Sequence, residues 1–330
     1  MSALTDARLS DILTALPDLE VSHLRDTDFS DIATIPTFLQ GGADVHGSHG
    51  LFYWLRARGS GSLVRSHGCA VVLSWRADVN RLTAFRPTGE PREAADLLSR
   101  LAEAAAEAVP HSPLVARYCG AGIEAALTSQ GCWVPLEAPW SDEAYADDET
   151  FPEVIVTTEP RDVPSGQAYK SIREAIFKHG PEYTYTASGR PLGIGEAEFI
   201  AAETARSQGY GEHESGFNDS VLSFLDTAYH DQLTYHYLQR DGRVHGFAIT
   251  ANTTGIAHGY YLGAADLPRL ATYFLWQIYL QVRRSGAFAL NLGGSEEVSL
   301  FQFKTRTFPH HVLQRSAVLQ YTGAMFQEGV

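Results

Sequence analysis

Lysine is almost absent from this 330-residue chain: Lys170, Lys178 and Lys304 stand against 22 arginines, and all three lie in the second half. Cysteine is equally scarce. Cys69, Cys119 and Cys132 are too few and too scattered for a disulfide framework and form no CxxC pair, so a reducing, cytoplasmic setting is expected. No run approaches the 18 apolar residues of a membrane span, and the N-terminal stretch lacks the basic flank and apolar run of a signal peptide. Walker A, GxGxxG and GxSxG patterns are missing, which leaves no nucleotide loop, dinucleotide fingerprint or hydrolase elbow. His46 and His49 sit in a Gly-rich loop without an evident third ligand, so neither a metal nor another cofactor is expected.

Positive charge is also in short supply: 25 Lys+Arg against 39 Asp+Glu, a formal net charge of −14. As an average this excludes a general nucleic-acid binder, because phosphate binding rests on neutralisation by Lys and Arg. The charge is unevenly spread, however. Residues 1–158 carry a net −11 and residues 159–330 a net −3, and from Val298 to Gln327 there is no acid at all, while Lys304, Arg306 and Arg315 are present. The six acids between Ser141 and Glu153 read as a linker or solvated surface, giving two domains over 1–150 and 151–330.

Hydrophobic patterning predicts helices over 6–16 and 28–35. Strands over 51–56, 62–65, 69–75 and 81–85 follow, then a long helix over 91–109, a buried strand over 114–119 and a short helix over 122–130. The second half repeats that order. Helices are expected over 165–179, 197–208 and 220–229, and strands over 233–239, 244–251 and 256–262, the first pair joined by an Asp241-Gly242 hairpin turn. A long helix over 268–285 and a buried strand over 287–292 complete it. Gly120 and Gly293 close equivalent strands 173 residues apart, and Ala84 and Tyr260 lie in equivalent strands 176 apart, which points to an internal duplication. The fold class is α/β (α+β), with two mixed, mostly antiparallel sheets flanked by helices.

An antiparallel meander followed by a helix and a further strand resembles the core of the GNAT acyltransferase fold, which parts two central strands and holds an acyl donor in the gap. Ordinary members grip the coenzyme A pyrophosphate with a Gly-rich loop at a helix start. The equivalent loop here, 261–269, has one glycine, Gly263, and places Asp266 where phosphates would sit; the first half offers only 86–91. The end of the chain is more specific. Leu290-Asn291-Leu292-Gly293-Gly294-Ser295-Glu296 followed by Phe301-Gln302-Phe303-Lys304 resembles the Fem-type, peptidoglycan-bridge branch of that superfamily, which shares two GNAT-like domains with the soluble part of lysyl-phosphatidylglycerol synthases and with tRNA-dependent transferases of natural-product pathways. Phe308 comes one residue later than the family's Phe-Lys-x-x-Phe-Gly signature has it, and Pro309 replaces the glycine.

The resemblance implies transfer of an amino acid from aminoacyl-tRNA to an amine of a soluble small-molecule, peptide or peptidoglycan-precursor acceptor, with the tRNA 3′ end as partner and neither a membrane nor DNA involved. It implies that Lys304 contacts the terminal phosphate or stabilises a tetrahedral oxyanion. Gly293, Gly294, Phe303, Arg306 and Arg315 are expected to hold the donor, with Phe301, Phe303 and Phe308 able either to stack on terminal bases or to pack in the core. Glu296 is the best-placed acid for proton transfer, ahead of Asp226 and His258. Lys170 and Arg173, on a basic helix, and Tyr260 and Tyr261, on the strand before the long helix, are the expected acceptor contacts. The alternatives are an acyl-coenzyme A-dependent GNAT N-acyltransferase and a degenerate pair that only binds.

Overall fold

The computed structural model describes residues 9–23, 61–76, 81–109, 114–136, 151–158, 164–207, 221–222, 225, 233–253, 255–295, 297–314 and 316–323. The expected helix over 28–35, the strand over 51–56, the His46/His49 loop, most of the acidic stretch 141–153 and most of the helix over 220–229 lie outside them. So do Asp226, Glu296 and Arg315.

The strands are β1 Glu20–His23, β2 Ser62–Ser66, β3 Cys69–Arg76, β4 Arg81–Thr88, β5 Leu114–Cys119, β6 Trp133–Pro135, β7 Glu153–Thr157, β8 Thr184–Ser188, β9 Leu233–Arg240, β10 Arg243–Thr253, β11 Ile256–Ala264, β12 Ala289–Asn291, β13 His311–Gln314 and β14 Ala317–Tyr321. The helices that matter below are α1 Pro91–Ala108, α2 Ala121–Ser129, α3 Lys170–His179, α4 Glu196–Ser207, α5 Leu270–Arg284 and α6 Val298–Thr307. They divide into two compact units, one of residues 1–146 with 315–330 and one of 147–314. The last strand, expected with the second half, belongs to the first unit: β14 pairs with β5 and β6, burying Leu319.

The first sheet runs β1-β2-β3-β4-β5-β14-β6 and the second β8-β9-β10-β11-β12-β7-β13. All neighbours pair antiparallel except β4 with β5 and β11 with β12. The two orders match position by position. The last parallel pairs, Phe85 with Arg117 and His258 with Asn291, stand 173 and 174 residues apart. This tandem arrangement carries one twist of connectivity. The strand after β6 enters the second sheet as β7, and the strand after β13 returns to the first as β14, so each sheet takes its sixth strand from the segment that follows the other.

In the first unit, α1 starts at Pro91, which has no N–H to lose at a helix start. It buries Leu97, Leu98, Leu101 and five neighbouring alanines against Val71, Leu73, Leu82, Ala84 and Ala116 of the sheet. In the second unit, the β9–β10 turn has Asp241 and Gly242 at φ 52° and 73°, the left-handed pair a two-residue hairpin requires. There α5 buries Leu270, Tyr273, Phe274, Ile278 and Val282 on the sheet face that carries Leu238, Ala248, Ala257 and Leu290.

One buried polar chain crosses that core. Tyr185 Oη lies 2.7 Å from His236 Nδ1, and His236 Nε2 lies 2.8 Å from Thr250 Oγ1. Two hydroxyls satisfy either tautomer of a neutral imidazole. Complete burial pushes the His236 pKa down to about 3.

Two outcomes are expected. Leu319→Ala costs about 2–5 kcal/mol, and a chain ending at Gln314 loses hydrogen-exchange protection in β5 and β6 while β10–β12 keep theirs; equal loss in both units would contradict the topology. Because His236 takes a proton more readily when unfolded, stability falls as pH drops from about 6.5 towards 3. In urea titrations, His236→Gln flattens that slope by up to about 1.4 kcal/mol per pH unit; an unchanged slope would show that His236 is not held neutral.

Candidate functional site

Strands β11 and β12 run together for only three pairs, Ile256–Ala289, Ala257–Leu290 and His258–Asn291. Beyond them β12 ends, while β11 continues to Ala264 against β10, with a register shift that leaves Tyr260 as an extra residue. The strands part at that point. The chain leaves β12 through Gly293, whose φ of 69° is a conformation glycine adopts without strain.

The turn is tied from several directions. Asn291 is fully buried; its Oδ1 accepts from the Gly293 N–H at 2.8 Å, and its Nδ2 donates to Glu153 Oε2 at 2.7 Å. The Gly293 carbonyl accepts from the Val154 N–H at 3.2 Å and from Lys304 Nζ at 3.3 Å, and Lys304 Nζ also donates to the Gly294 carbonyl. Ser295 makes a bridge with Phe151, whose ring stacks on Phe301 at 5.2 Å. Lys304 is half-buried in the last turn of α6, a helix that hydrophobic patterning alone does not reveal. Lys304, Gly293 and Gly294 are thus brought together where the strands part.

Other expected site residues are placed differently. Phe308 is buried, its ring 5.3 Å from Tyr279 and 6.3 Å from Trp276, and Phe301 and Phe303 pack on the same core. Phe308 is thus a core residue, while Phe301 and Phe303 are partly buried at the edge of that core. Arg306 is exposed near the C-terminal end of α6. The acid-free stretch is divided between the units: residues 298–314 belong to the second, and its β14 portion is built into the first sheet.

The four expected acceptor contacts do not converge. Tyr261 pairs with Ile249 and packs 5.8 Å from Phe247, and its hydroxyl and the Phe199 ring of α4 both border the space over Gly263. By strand alternation this is the face opposite the one that α5 and α3 cover. Burial raises the Tyr261 pKa. Tyr260 is buried too, its ring 6.2 Å from His258. On α3, Arg173 closes a local loop through the Pro164 and Gly166 carbonyls, and Lys170 meets Glu174, which also pairs with Arg269. On the α4 side, the buried Glu196 carboxylate accepts from the N–H groups of Leu192, Gly193 and Ile194 and from Tyr237 Oη. Burial pushes its pKa up, but those donors outweigh it and hold it below the usual range.

The loop entering α5 has several of its N–H groups bonded within the chain. The Ala265 N–H donates to the His245 carbonyl, Leu267 N–H to Ala265 and Leu270 N–H to Leu267, at 2.7–3.0 Å. Pro268 has no N–H, and its carbonyl accepts from His179 Nε2 at 2.9 Å and Lys178 Nζ at 3.5 Å. Asp266 is exposed beside them. In the first unit the equivalent helix start is filled by the chain itself: Glu90 Oε2 accepts from the Arg92 and Glu93 N–H groups at 2.9 and 3.1 Å. Both glutamates escape a motif search, and so does Glu153, which a linker reading leaves in solvent but which is buried against Asn291.

No protein-family model matches this sequence, and no curated protein matches it significantly. Solved structures do resemble it. A conserved protein of unknown function from Bacteroides thetaiotaomicron superimposes with a TM-score of 0.65 at 15% identity, over 89% of this chain and 97% of that one. The C-terminal domain of a putative lysylphosphatidylglycerol synthetase from Agrobacterium fabrum gives 0.57 at 16%, over 90% and 94%. FemX gives 0.56 at 10%, over 93% and 99%. A tandem GNAT protein of clavulanic acid biosynthesis gives 0.51 at 12%, over 92% and 97%. These likenesses, with the matching strand orders, show a tandem GNAT-like fold.

Proposed function

We propose that this protein is an acyltransferase that moves an amino acid from aminoacyl-tRNA to an amine of a soluble small-molecule or peptide acceptor. One observation carries the reading: at both places where a GNAT fold grips a pyrophosphate, backbone N–H groups are already bonded within the chain. Coenzyme A binding at such a helix start depends on unspent backbone N–H groups facing the phosphates. In the α5 loop those of Ala265, Leu267 and Leu270 are bonded internally, and at α1 the Glu90 carboxylate takes the anion's place. The Phe303-Lys304 motif and the likeness to FemX and to a lysylphosphatidylglycerol synthetase domain support the same donor.

The chemistry asked of the protein is modest. The neutral acceptor amine attacks the ester carbonyl, the tetrahedral oxyanion collapses, and the tRNA 3′ oxygen leaves with a proton that comes from the attacking nitrogen. An activated ester and a good nucleophile need chiefly alignment. Lys304, fixed at the mouth of the parted strands, supplies a cation whose field favours the oxyanion. Exposed Arg306 extends positive charge along α6 towards the donor's phosphates. His258, fully buried at the last β11–β12 pair, is the candidate for proton transfer among the described residues.

The test is incubation with charged tRNA and candidate amines, following deacylation and new amide together. Transfer abolished by RNase is expected, and Lys304→Ala is expected to lower kcat by about 100-fold or more. Product that survives RNase and forms from acyl-coenzyme A would overturn the reading.

A further inference from the structure

We infer that Glu153 and Asn291 are positioning residues for Lys304, an inference that rests on the transfer reading above. The contacts form one relay: Glu153 Oε2 to Asn291 Nδ2, Asn291 Oδ1 to the Gly293 N–H, and the Gly293 and Gly294 carbonyls to Lys304 Nζ. The ammonium sits where those carbonyls face, and the carbonyls face where the Gly293 peptide is turned. Gly293 tolerates more than one backbone conformation, so its orientation must be imposed by its partners. Asn291 imposes it from one side and Val154 from the other.

The residue types fit this task. An amide carries a donor and an acceptor on separate branches, so asparagine alone can take the Gly293 N–H on one and give to a carboxylate on the other. Glu153 is 5% exposed and Asn291 0% exposed, in strands whose other residues are mostly aliphatic. Buried polar groups of this kind cost stability unless each bond is made, so a strand has no use for them as packing. The first unit supplies the comparison. At the position of Asn291 its sheet has Arg117, and β5 passes through Gly120 straight into α2. Among the described residues, that sheet closes without the relay, without the segment that joins β12 to α6 and without a lysine, and the relay occurs only in the unit that holds Lys304.

Nearly isosteric variants test this. Kinetics are measured well below the melting temperature of each variant, alongside modification of Lys304 by an amine-reactive reagent, read by mass spectrometry against Lys170 and Lys178. Glu153→Met, which removes the acceptor for Asn291 Nδ2, and Asn291→Asp are each expected to lower kcat by about 10- to 100-fold with the KM values for charged tRNA and acceptor nearly unchanged, and to raise Lys304 modification. Asn291→Asp places two carboxylates together, which share a proton as pH falls, so its activity profile shifts towards acid. The double variant E153Q/N291D reverses the bond: the new amide donates to the new carboxylate, which still accepts from Gly293. It is expected to recover most of the lost kcat and the native Lys304 modification rate. Single variants with unchanged kcat and unchanged Lys304 modification would overturn the inference, as would a double variant no better than the worse single one. If the wild-type protein transfers nothing from tRNA, the function proposed above fails, and Lys304 modification alone still decides the relay: a raised rate in both single variants supports it, and an unchanged one overturns it.

Discussion

The second unit depends on how the chain is held as it leaves β12. Two adjacent parallel strands that part after three pairs leave backbone groups without strand partners, and a turn built on two glycines has little conformational preference of its own. Val154 on one strand, the Asn291–Glu153 pair beneath and Lys304 above supply the missing bonds. The aromatic residues of α6 serve the same end. Phe301 on Phe151, and Phe308 against Trp276 and Tyr279, fix the helix that delivers Lys304. Rings that in sequence resemble a base-stacking platform are the packing that keeps the cation in place.

The duplication gives this arrangement its meaning. Two sheets with the same strand order need not share a function, and their differences fall where a donor would bind. The first unit plugs its helix start with Glu90 and has no long turn after β5. The second leaves the α5 start without a side-chain cap, bonds several of its loop N–H groups within the chain, and leaves β12 through the Gly293 turn that Lys304 holds. The second sheet is built from one continuous stretch, β7 to β13, whereas the first is completed only by β14, which follows the whole of the second.

Much of this was legible in the residues, for local reasons. The Asp241-Gly242 turn, the apolar run 114–119 and the long amphipathic helices announce themselves through turn chemistry and periodicity. The motif around Lys304 was visible as well, but its contacts were not: the carbonyls it holds lie ten and eleven residues back, around a turn. Glu153 was hidden in a run of acids that reads as solvated, and only its pairing with an asparagine 138 residues away makes it a core residue. The last strand, β14, went unread, and the 151–330 range placed its segment with the second half, because no local pattern records which distant strand a segment joins. Lys170 and Arg173 looked like substrate contacts and are engaged instead with Glu174 and with carbonyls of their own loop.

The central claim is that the donor is the aminoacylated 3′ end of tRNA. Its most direct measurement is the melting temperature of the whole protein with two ligands side by side: coenzyme A, and an RNA minihelix bearing an amide-linked amino acid that cannot be transferred. The account predicts a rise with the minihelix that weakens steeply with salt and is lost in Lys304→Ala, with no response to coenzyme A. A rise with coenzyme A and none with the minihelix would contradict it.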